Sequence, residues 1–339
     1  MTRQQPIRRF FTEVIERCVY LVVAVLVGLV ALPMPVSADS FPTKTIKVVA
    51  NSSAGALVDL FARVFAQKLS ERSGHPVVVE NRSGATGVVG ANFVAKADPD
   101  GYTLLVAGHP SIVILPLLNP DSPYTSKDFA PIVLFGTTPS MLLVRSDLPV
   151  NSVQELIAMA KAKPGTLTYG SQGFAGSGHM ATVQFTLATN IDIIHVPFRG
   201  SAPALAAILG GQVDMLFETV RSDSINFVRE GKVRALGIAE QNRVPALPNV
   251  PTMTEAGVPG VESGFWVALY APARTSPAVI RYLNKEAAEI FALPDVRKLF
   301  EQQDVALSLG SPEDLGRFLE KEVKRWGDVV GRTHMKFPG

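Results

Sequence analysis

Two short segments rich in serine and glycine are the parts of this sequence best suited to holding an anion. The first is Asn51-Ser52-Ser53-Ala54-Gly55-Ala56, and the second, SQGFAGSG, covers residues 171–178. Each follows a short apolar run and precedes an amphipathic pattern, which predicts a loop between a strand and a helix. Small residues at a helix start let backbone N–H groups and hydroxyls converge on a negative charge. Either loop could be only a tight turn, but two in different halves of the chain favour a ligand held between them.

Patterns for catalysis and metal binding are missing from the sequence. It has no G-x-S-x-G elbow and no G-x-x-x-x-G-K-[ST] phosphate loop, and Gly84, Gly87 and Gly90 lack the dinucleotide spacing. Its histidines, at 75, 109, 179, 195 and 334, include no pair at metal-ligand spacing. No nucleophile motif accompanies His179 or His195, which favours structural hydrogen bonding over general-base catalysis. We therefore expect no metal, no cofactor and no catalytic residue.

Residues 1–38 have the pattern of a cleaved secretory signal peptide. Arginines precede an apolar run at 19–32, and Val36-Ser37-Ala38 fits a small-residue cleavage site. The run has 14 residues, fewer than the ~18 that a spanning helix needs. Arg8 and Arg9 resemble a twin-arginine signal, which leaves the export route open between the general and the twin-arginine pathway. We expect a periplasmic protein that is cleaved after Ala38.

Loss of this segment changes what the composition implies. The 339 residues include 32 basic and 30 acidic ones, and removing four arginines and two glutamates leaves 28 of each. A chain with no net charge is poorly suited to nucleic acid or to an anionic membrane surface. The single cysteine, Cys18, lies in the segment, so the mature chain has no disulfide and no thiolate.

Apolar runs alternate with amphipathic helices from Thr45 onward, which predicts βαβ units, largely parallel sheets and an α/β fold. The predicted strands are 46–50, 76–80, 102–107, 141–144, 167–170, 193–196, 213–217, 234–238 and 267–270. A helix is predicted at 57–73 with Gly74 as its C-cap. Ser152 and Ser311 are the predicted N-caps of two further helices.

Six motifs make the sequence resemble the substrate-binding proteins of tripartite tricarboxylate transporter systems, the Bug or TctC-like family. The resemblance covers residues 41–326 and is carried by VENRSGA at 79–85, PDGYTLL at 99–105, HVPFRGSAPA at 195–204, GGQVD at 210–214, LPNVPT at 247–252 and APA at 271–273. It implies a type II periplasmic binding protein fold, in which two α/β lobes are joined by crossing strands, and no enzymatic activity. We place one lobe at 39–138 and 262–339 and the other at 139–261.

The resemblance also implies the ligand and the partners. Members of the family hold a ligand carboxylate with backbone and hydroxyl groups of the same two loops, and Asp59 occupies the family's acidic position. We expect a monomer that delivers its ligand to a two-component membrane permease, with a periplasmic sensory subunit or an enzyme on the same scaffold as alternatives. The predicted ligand-binding residues are Asn51, Ser52, Ser53, Ala54, Gly55, Asp59, His109, Ser171, Gly173, Phe174, Ser177, Gly178, His179, Phe198 and Phe265.

Hydrogen bonds alone can account for carboxylate binding. Micromolar affinity requires about −8 kcal/mol, and each hydrogen bond to a charged group contributes roughly 1.5–3 kcal/mol. Several converging N–H and O–H donors therefore suffice without Lys or Arg in either loop. Gly178→Pro is expected to abolish binding because it deletes one such donor. Closure of the lobes on the ligand is expected about the strands near 135–144 and 264–271.

The aromatic residues near the two loops suggest the ligand class. Phe174 and Phe265 stand where the family usually has smaller residues, and Phe198 is close by in the HVPFRG segment. Together they favour an aromatic dicarboxylate of terephthalate type over citrate or malate, with His109 bonding a second polar end of the ligand. The competing interpretation is that these phenylalanines fill the core or the lobe interface, and an aliphatic di- or tricarboxylate is then the alternative ligand.

Overall fold

The strands are described by a computed structural model that covers residues 41–333 and Met335. In chain order they are β1 Ile46–Ala50, β2 Val77–Asn81, β3 Thr103–Gly108, β4 Phe129–Arg145, β5 Thr168–Ser171, β6 Ile194–Pro197, β7 Met215–Thr219, β8 Val233–Ile238, β9 Gly264–Pro272 and β10 Ala306–Leu307. Every predicted strand overlaps one of these. The predicted signal peptide lies outside the described residues. Among the helices that are described, none combines the length and the apolar character that crossing a bilayer requires.

The helices lie between the strands, as predicted. They are α1 Leu57–Ser73, α2 Val88–Ala95, α3 Leu115–Leu118, α4 Val153–Ala162, α5 Ser177–Thr189, α6 Ser201–Leu209, α7 Ser222–Arg229, α8 Pro277–Phe291, α9 Pro294–Glu301 and α10 Pro312–Gly331. Gly74 ends α1 with a φ of 71°, the left-handed conformation that glycine adopts without steric cost. Ser152 and Ser311 each accept a backbone N–H of the first helical turn, so both predicted N-caps are confirmed.

The strands form two groups that share β4. Sheet A has the order β2-β1-β3-β9-β4, with β10 also on β4, and sheet B has the order β4-β7-β5-β6, with β8 also on β4. The outer pairs β1–β2, β1–β3, β5–β6 and β5–β7 are parallel. All pairs made by β4 and β9 are antiparallel. The prediction of largely parallel sheets is therefore right for the outer strands and wrong for the centre.

Strand β4 is longer than predicted, because its first half was missed. It runs for 17 residues, pairing with β9 over Phe129–Pro139 and with β7 over Ser140–Val144. Pro131 and Pro139 explain why the sequence does not predict a strand there, since proline is depleted in strands. The register shifts just after Pro131, as it does at bulges that accommodate an irregular residue.

Both faces of the β4 segment in sheet B are covered by helices. Leu142 and Val144 pack in one cluster with residues of α4 and α5, whereas Met141 and Leu143 pack in another with residues of α6 and α7. Alternation of the strand side chains produces this division. In sheet A, Phe135 lies 5.2 Å from the ring of Phe61 on α1. The helices thus anchor both sheets.

The chain passes between the sheets at two neighbouring points, within β4 at Pro139–Ser140 and again at Ser263, just before β9. There Ser140 donates its N–H to the Ser263 carbonyl at 3.0 Å, and Ala239 donates to the Ser140 carbonyl at 2.8 Å. Residues from Pro42 onward form one compact unit that contains both sheets. This crossing lies close to the boundaries predicted for the two lobes.

Candidate ligand-binding site

A cavity of about 640 Å³ lies at the carboxyl ends of strands from both sheets. Its lining comes from the turns after β1, β2 and β3 on the sheet A side and after β5, β6 and β7 on the sheet B side. Ligands of open α/β sheets bind at this edge. The volume is within the roughly 300–1,000 Å³ of small-molecule sites.

Asn51 anchors the first loop from inside. It lines the cavity but is 7% exposed, and its Nδ2 donates to Ser111 Oγ at 2.6 Å and to the Gly87 carbonyl at 3.3 Å. A side chain on Gly87 would place Cβ only 2.6 Å from Asn51 Nδ2. The glycine therefore allows the turn after β2 to lie directly against the loop after β1.

The sheet A wall offers hydrogen-bond donors that carry no formal charge. Ser52 and Ser53 line the cavity together with Ala56, Leu57 and Val58 at the start of α1. Ala56 provides no side-chain cap for this helix. The first backbone N–H groups of a helix have no partner within it, so those of α1 are left for an anion at the cavity wall.

Asp59 supports the first loop and does not line the cavity. Its side chain is 3% exposed and accepts from the Gly55 N–H at 2.8 Å, from Arg63 Nε at 2.9 Å and from Asn81 Nδ2 at 2.8 Å. Burial alone would raise the pKa of this carboxyl, but these three hydrogen bonds hold the pKa below its usual value. Ala54 and Gly55, which were also predicted to bind, do not line the cavity, and the Gly55 N–H is already used by Asp59.

Most donors of the second loop are used within the protein. Ser171 Oγ accepts from the Gly173 N–H at 3.2 Å, and the Gly178 N–H donates to Gln172 Oε1 at 2.9 Å. A Cβ on Gly178 would also lie 2.4 Å from the Phe217 carbonyl oxygen. Gly173 lines the cavity, whereas Ser171 and Gly178 do not. The prediction that Gly178→Pro deletes a ligand donor is therefore wrong, since that donor serves Gln172.

Ser177 is the residue of the second loop best placed for a ligand. It lies at the first position of α5 and lines the cavity, and its hydroxyl makes no hydrogen bond within residues 41–333. Its neighbour Gly176 caps α5 without a side chain. The start of α5 therefore faces the cavity in the same way as the start of α1.

His179 lies behind the second loop, in a stack of rings. Its Nδ1 accepts from the Ala175 N–H at 2.9 Å, and its ring lies 4.0 Å from that of His195. Burial lowers the pKa of His179 to about 3 and that of His195 to about 4, so both are neutral at pH 7. His195 Nε2 is 2.6 Å from Ser171 Oγ, but none of these three residues lines the cavity. This serine–histidine pair cannot reach a ligand as a nucleophile and base.

Two of the three predicted phenylalanines line the cavity. Phe198 lies on the sheet B side and Phe265 on the sheet A side. Phe174 instead packs against the apolar cluster beneath sheet A, and its carbonyl accepts from Thr86 Oγ1 at 3.2 Å. Phe174 therefore ties the second loop to the turn after β2, which agrees with the interpretation that it fills an interface.

His109 is fully buried behind Phe265 and does not line the cavity. Its ring lies 5.7 Å from Phe265, 5.8 Å from Trp266 and 6.0 Å from Trp326. Burial lowers its pKa to about 3, and neither ring nitrogen has a hydrogen-bond partner among the described residues. Its contacts are aromatic, and the expected bond to a ligand is blocked by Phe265. Within the described residues, no three His, Cys, Asp or Glu side chains could together hold a metal ion.

The sheet B wall contains charged residues that the sequence reasoning missed. Arg199 and Ser201 follow β6, and Glu218, Thr219 and Arg221 lie at the end of β7 or just after it. The first two belong to the HVPFRGSAPA motif, so a search of every strand end for polar residues would have found them. The same search would have found Glu218, which directly follows the predicted strand 213–217, whereas Arg221 lies three residues further along.

Similar solved structures include two proteins with a diacid and one periplasmic binding protein. Rpa4515 from R. palustris with adipate is 33% identical, with a TM-score of 0.77 over 86% of this chain and 97% of that chain. MatC (Rpa3494) from Rhodopseudomonas palustris with bound malate is 31% identical, with a TM-score of 0.77 over 86% of this chain and 100% of that chain. The periplasmic binding protein BugD is 29% identical, with a TM-score of 0.77 over 87% of this chain and 99% of that chain.

A family profile described as "Tripartite tricarboxylate transporter family receptor" matches residues 61–335. That range is most of the chain, and it includes most of α1, the whole of α5 and every motif from 79 onward. The structural likenesses confirm the predicted periplasmic-binding-protein fold. The chain therefore belongs to the tripartite tricarboxylate transporter family of receptors, the TctC and Bug solute-binding proteins.

Proposed function

We propose that this protein is a periplasmic receptor that binds a small carboxylate in the cavity between sheets A and B, without chemical turnover. The observation that carries the proposal is the convergence on one cavity of two helix starts whose N-cap residues, Ala56 and Gly176, provide no side-chain cap. Helices α1 and α5 both begin at its wall, next to the hydroxyls of Ser52, Ser53 and Ser177. Backbone N–H groups and hydroxyls at helix starts stabilise a carboxylate.

The likeness to proteins that bind aliphatic diacids supports a carboxylate ligand. Two proteins of known structure, 33% and 31% identical to this chain, were solved with adipate and with bound malate. The absence of turnover is supported by the placement of Ser171 and His195, which do not line the cavity although they contact each other. A nucleophile and its base must both reach the reacting atoms.

Within the carboxylates, we favour an aromatic diacid of terephthalate type. Phe198 and Phe265 line the cavity, and their rings can pack on a benzene ring in offset or edge-to-face geometry, worth about 0.5–1.5 kcal/mol per pair beyond the area buried. This support is weaker than the sequence suggested, because Phe174 packs elsewhere. An aliphatic diacid such as adipate or malate is the competing ligand.

Competition binding on the mature protein, residues 39–339, tests both levels of the proposal. Terephthalate, benzoate, adipate and citrate are titrated by calorimetry, and each mixture is followed by mass spectrometry for chemical change. We expect micromolar binding of at least one diacid, terephthalate bound most tightly, and no product. Absence of binding by all four acids, or formation of a product, contradicts the receptor function. Tighter binding of citrate or adipate than of terephthalate contradicts only the aromatic preference.

The location and the partners complete the proposal. We propose that residues 1–38 export the chain to the periplasm, where the monomer delivers its ligand to a two-component membrane permease. The lobes, residues 39–138 with 262–339 and residues 139–261, would close on the ligand about the crossing near Ser140 and Ser263. Small-angle scattering should then give a smaller radius of gyration with saturating ligand, and an unchanged radius would contradict closure.

A further inference from the structure

The two walls of the cavity differ in charge. Every ionisable residue among those lining the cavity lies on the sheet B wall: Arg199, Glu218 and Arg221. The sheet A wall has only neutral lining residues, with hydroxyls, an amide and backbone groups as its polar atoms. A ligand with one anionic end at each wall would therefore be bound by neutral donors at one end and by charged side chains at the other.

Arg221 is held in place by hydrogen bonds from its backbone N–H and from one guanidinium nitrogen. Its N–H donates to Ser224 Oγ at 3.1 Å, at the start of α7. Its Nη2 donates to Ser201 Oγ at 3.2 Å and to Asp223 Oδ2 at 2.8 Å. The guanidinium is thus fixed at the wall by contacts that involve only one of its three nitrogens.

The other nitrogens of Arg221 are left without partners. Its Nε is buried and makes no hydrogen bond, and its Nη1 makes none within the described residues. A buried donor without an acceptor is uncommon in native proteins and calls for an explanation. A ligand carboxylate in the cavity would supply that acceptor, because a guanidinium presents its N–H groups in a fork that matches a carboxylate.

Glu218 does not neutralise this arginine directly. The carboxylate is fully buried and accepts from neutral donors: Ser201 Oγ at 2.7 Å, Thr219 Oγ1 at 2.9 Å and Gln172 Nε2 at 2.9 Å. Its role is to orient Ser201, which in turn accepts from Arg221. The direct ion-pair partner of Arg221 is Asp223, whose side chain is 51% exposed, and solvent screens such a pair.

We propose that Arg221, positioned by Ser201, binds the second anionic group of the ligand and thereby selects diacids over monoacids. This assignment rests on the proposed function, in which the first carboxylate is held at the uncharged sheet A wall. Arg199 is exposed on the same wall, and water screens its charge, so it contributes less to the selection.

Matched pairs of acids that differ by one carboxylate test the assignment. Terephthalate is compared with benzoate, and adipate with hexanoate, on the native protein and on Arg221→Gln. We expect the variant to lose about 30-fold in diacid affinity, as when one partner of a buried charge pair is removed, and less than about threefold in monoacid affinity. Arg317→Gln is the control, since it removes an arginine that pairs with Asp314 on the surface, and it should change neither.

Each result bears on a different part of the proposal. If a folded Arg221→Gln variant loses the same affinity for the diacid and the monoacid of a pair, or loses no affinity, the role of Arg221 is overturned. The receptor function stays intact in that case. A selective loss of diacid affinity in Arg199→Gln instead of Arg221→Gln also overturns it. If the native protein binds none of the four acids, the receptor function fails and the assignment fails with it. The aliphatic pair keeps the test decisive if the aromatic preference is wrong.

Discussion

Removing the Asp59 carboxylate should destabilise the protein and weaken ligand binding at the same time. The carboxylate accepts hydrogen bonds from Gly55, Arg63 and Asn81, and each bond to a charged group is worth roughly 1.5–3 kcal/mol. Arg63 is 54% exposed and regains water when the carboxylate is gone. Gly55 is exposed as well. We therefore expect Asp59→Ala to lower the free energy of unfolding by only ~3 kcal/mol, less than the ~4.5 kcal/mol that is the least three such bonds would sum to.

The same substitution should loosen the first loop and so affect the cavity. The Gly55 N–H bond to Asp59 fixes the loop where Ser53 and the start of α1 line the wall. Without this bond, ligand binding must order the loop at a cost of about one hydrogen bond, near 1.4 kcal/mol. That cost corresponds to about a tenfold weaker affinity for the acid that the native protein binds. Urea denaturation measures the stability, and calorimetry measures the affinity.

The contribution of Asp59 to stability should depend on pH. Because the pKa of Asp59 is lowered in the folded state, its contribution is present above the ordinary value of 3.8 and is lost as the pH falls below it. The difference in stability between the native protein and Asp59→Ala should therefore be constant near neutral pH and shrink below 3.8.

A surface carboxylate supplies the control for this experiment. Asp328 pairs with Lys324 on α10, and both side chains are largely exposed, at 68% and 80%. Asp328→Ala should change stability by less than about 1 kcal/mol and leave affinity unchanged. If Asp59→Ala is as stable as Asp328→Ala and binds the ligand as tightly as the native protein, the carboxylate does not hold the loop and the reasoning is refuted.

Three further outcomes follow from the site. Ser177→Ala should keep the native stability but lower ligand affinity by at least about tenfold, since one hydrogen bond to a charged group is worth roughly 1.5–3 kcal/mol; equal calorimetric affinities would remove its hydroxyl from the site. Phe265→Ser should weaken terephthalate more than adipate, whereas Phe174→Ala should weaken both alike because it packs outside the cavity; the reverse pattern in competition binding would contradict these placements. Unfolding free energy should fall as the pH drops from 6.5 towards 4, because His179 and His195 have folded pKa values of about 3 and about 4 and bind protons only after unfolding. His179→Gln should reduce that fall, and urea denaturation at pH 5 and pH 7.5 that shows no difference from the native protein would count against it.

The sequence by itself determined the elements and the two loops. Strand β1 and helix α1 lie where the apolar periodicity placed them, and Gly74, Ser152 and Ser311 end or begin helices as their types predicted. These features depend on neighbours within a few residues, so the local sequence pattern is enough to predict them. The family was also readable, because six motifs kept their order along the chain.

Tertiary structure decided which groups of the loops are available to a ligand. Gly178 and Asp59 lie in or beside the two loops as expected, but they are not available to a ligand. The Gly178 N–H donates to Gln172, and the Asp59 carboxylate accepts from Arg63. Phe174 packs beneath sheet A, as its neighbour Ala175 does, although the loop that contains both residues follows a strand of sheet B. Hydrogen-bond partners and packing depend on how the two sheets meet, and local sequence does not contain that information.

The charged wall and the crossing strand were likewise decided by long-range pairing. The first half of β4 is a strand because β9 and β10 supply its hydrogen bonds from more than 120 positions later in the chain. Glu218 and Arg221 join the site because β7 pairs with β5 and β4 and so ends at the same edge as β1. A cavity between two sheets collects the ends of strands that are distant in sequence, and only the folded chain shows which of those ends carry charge.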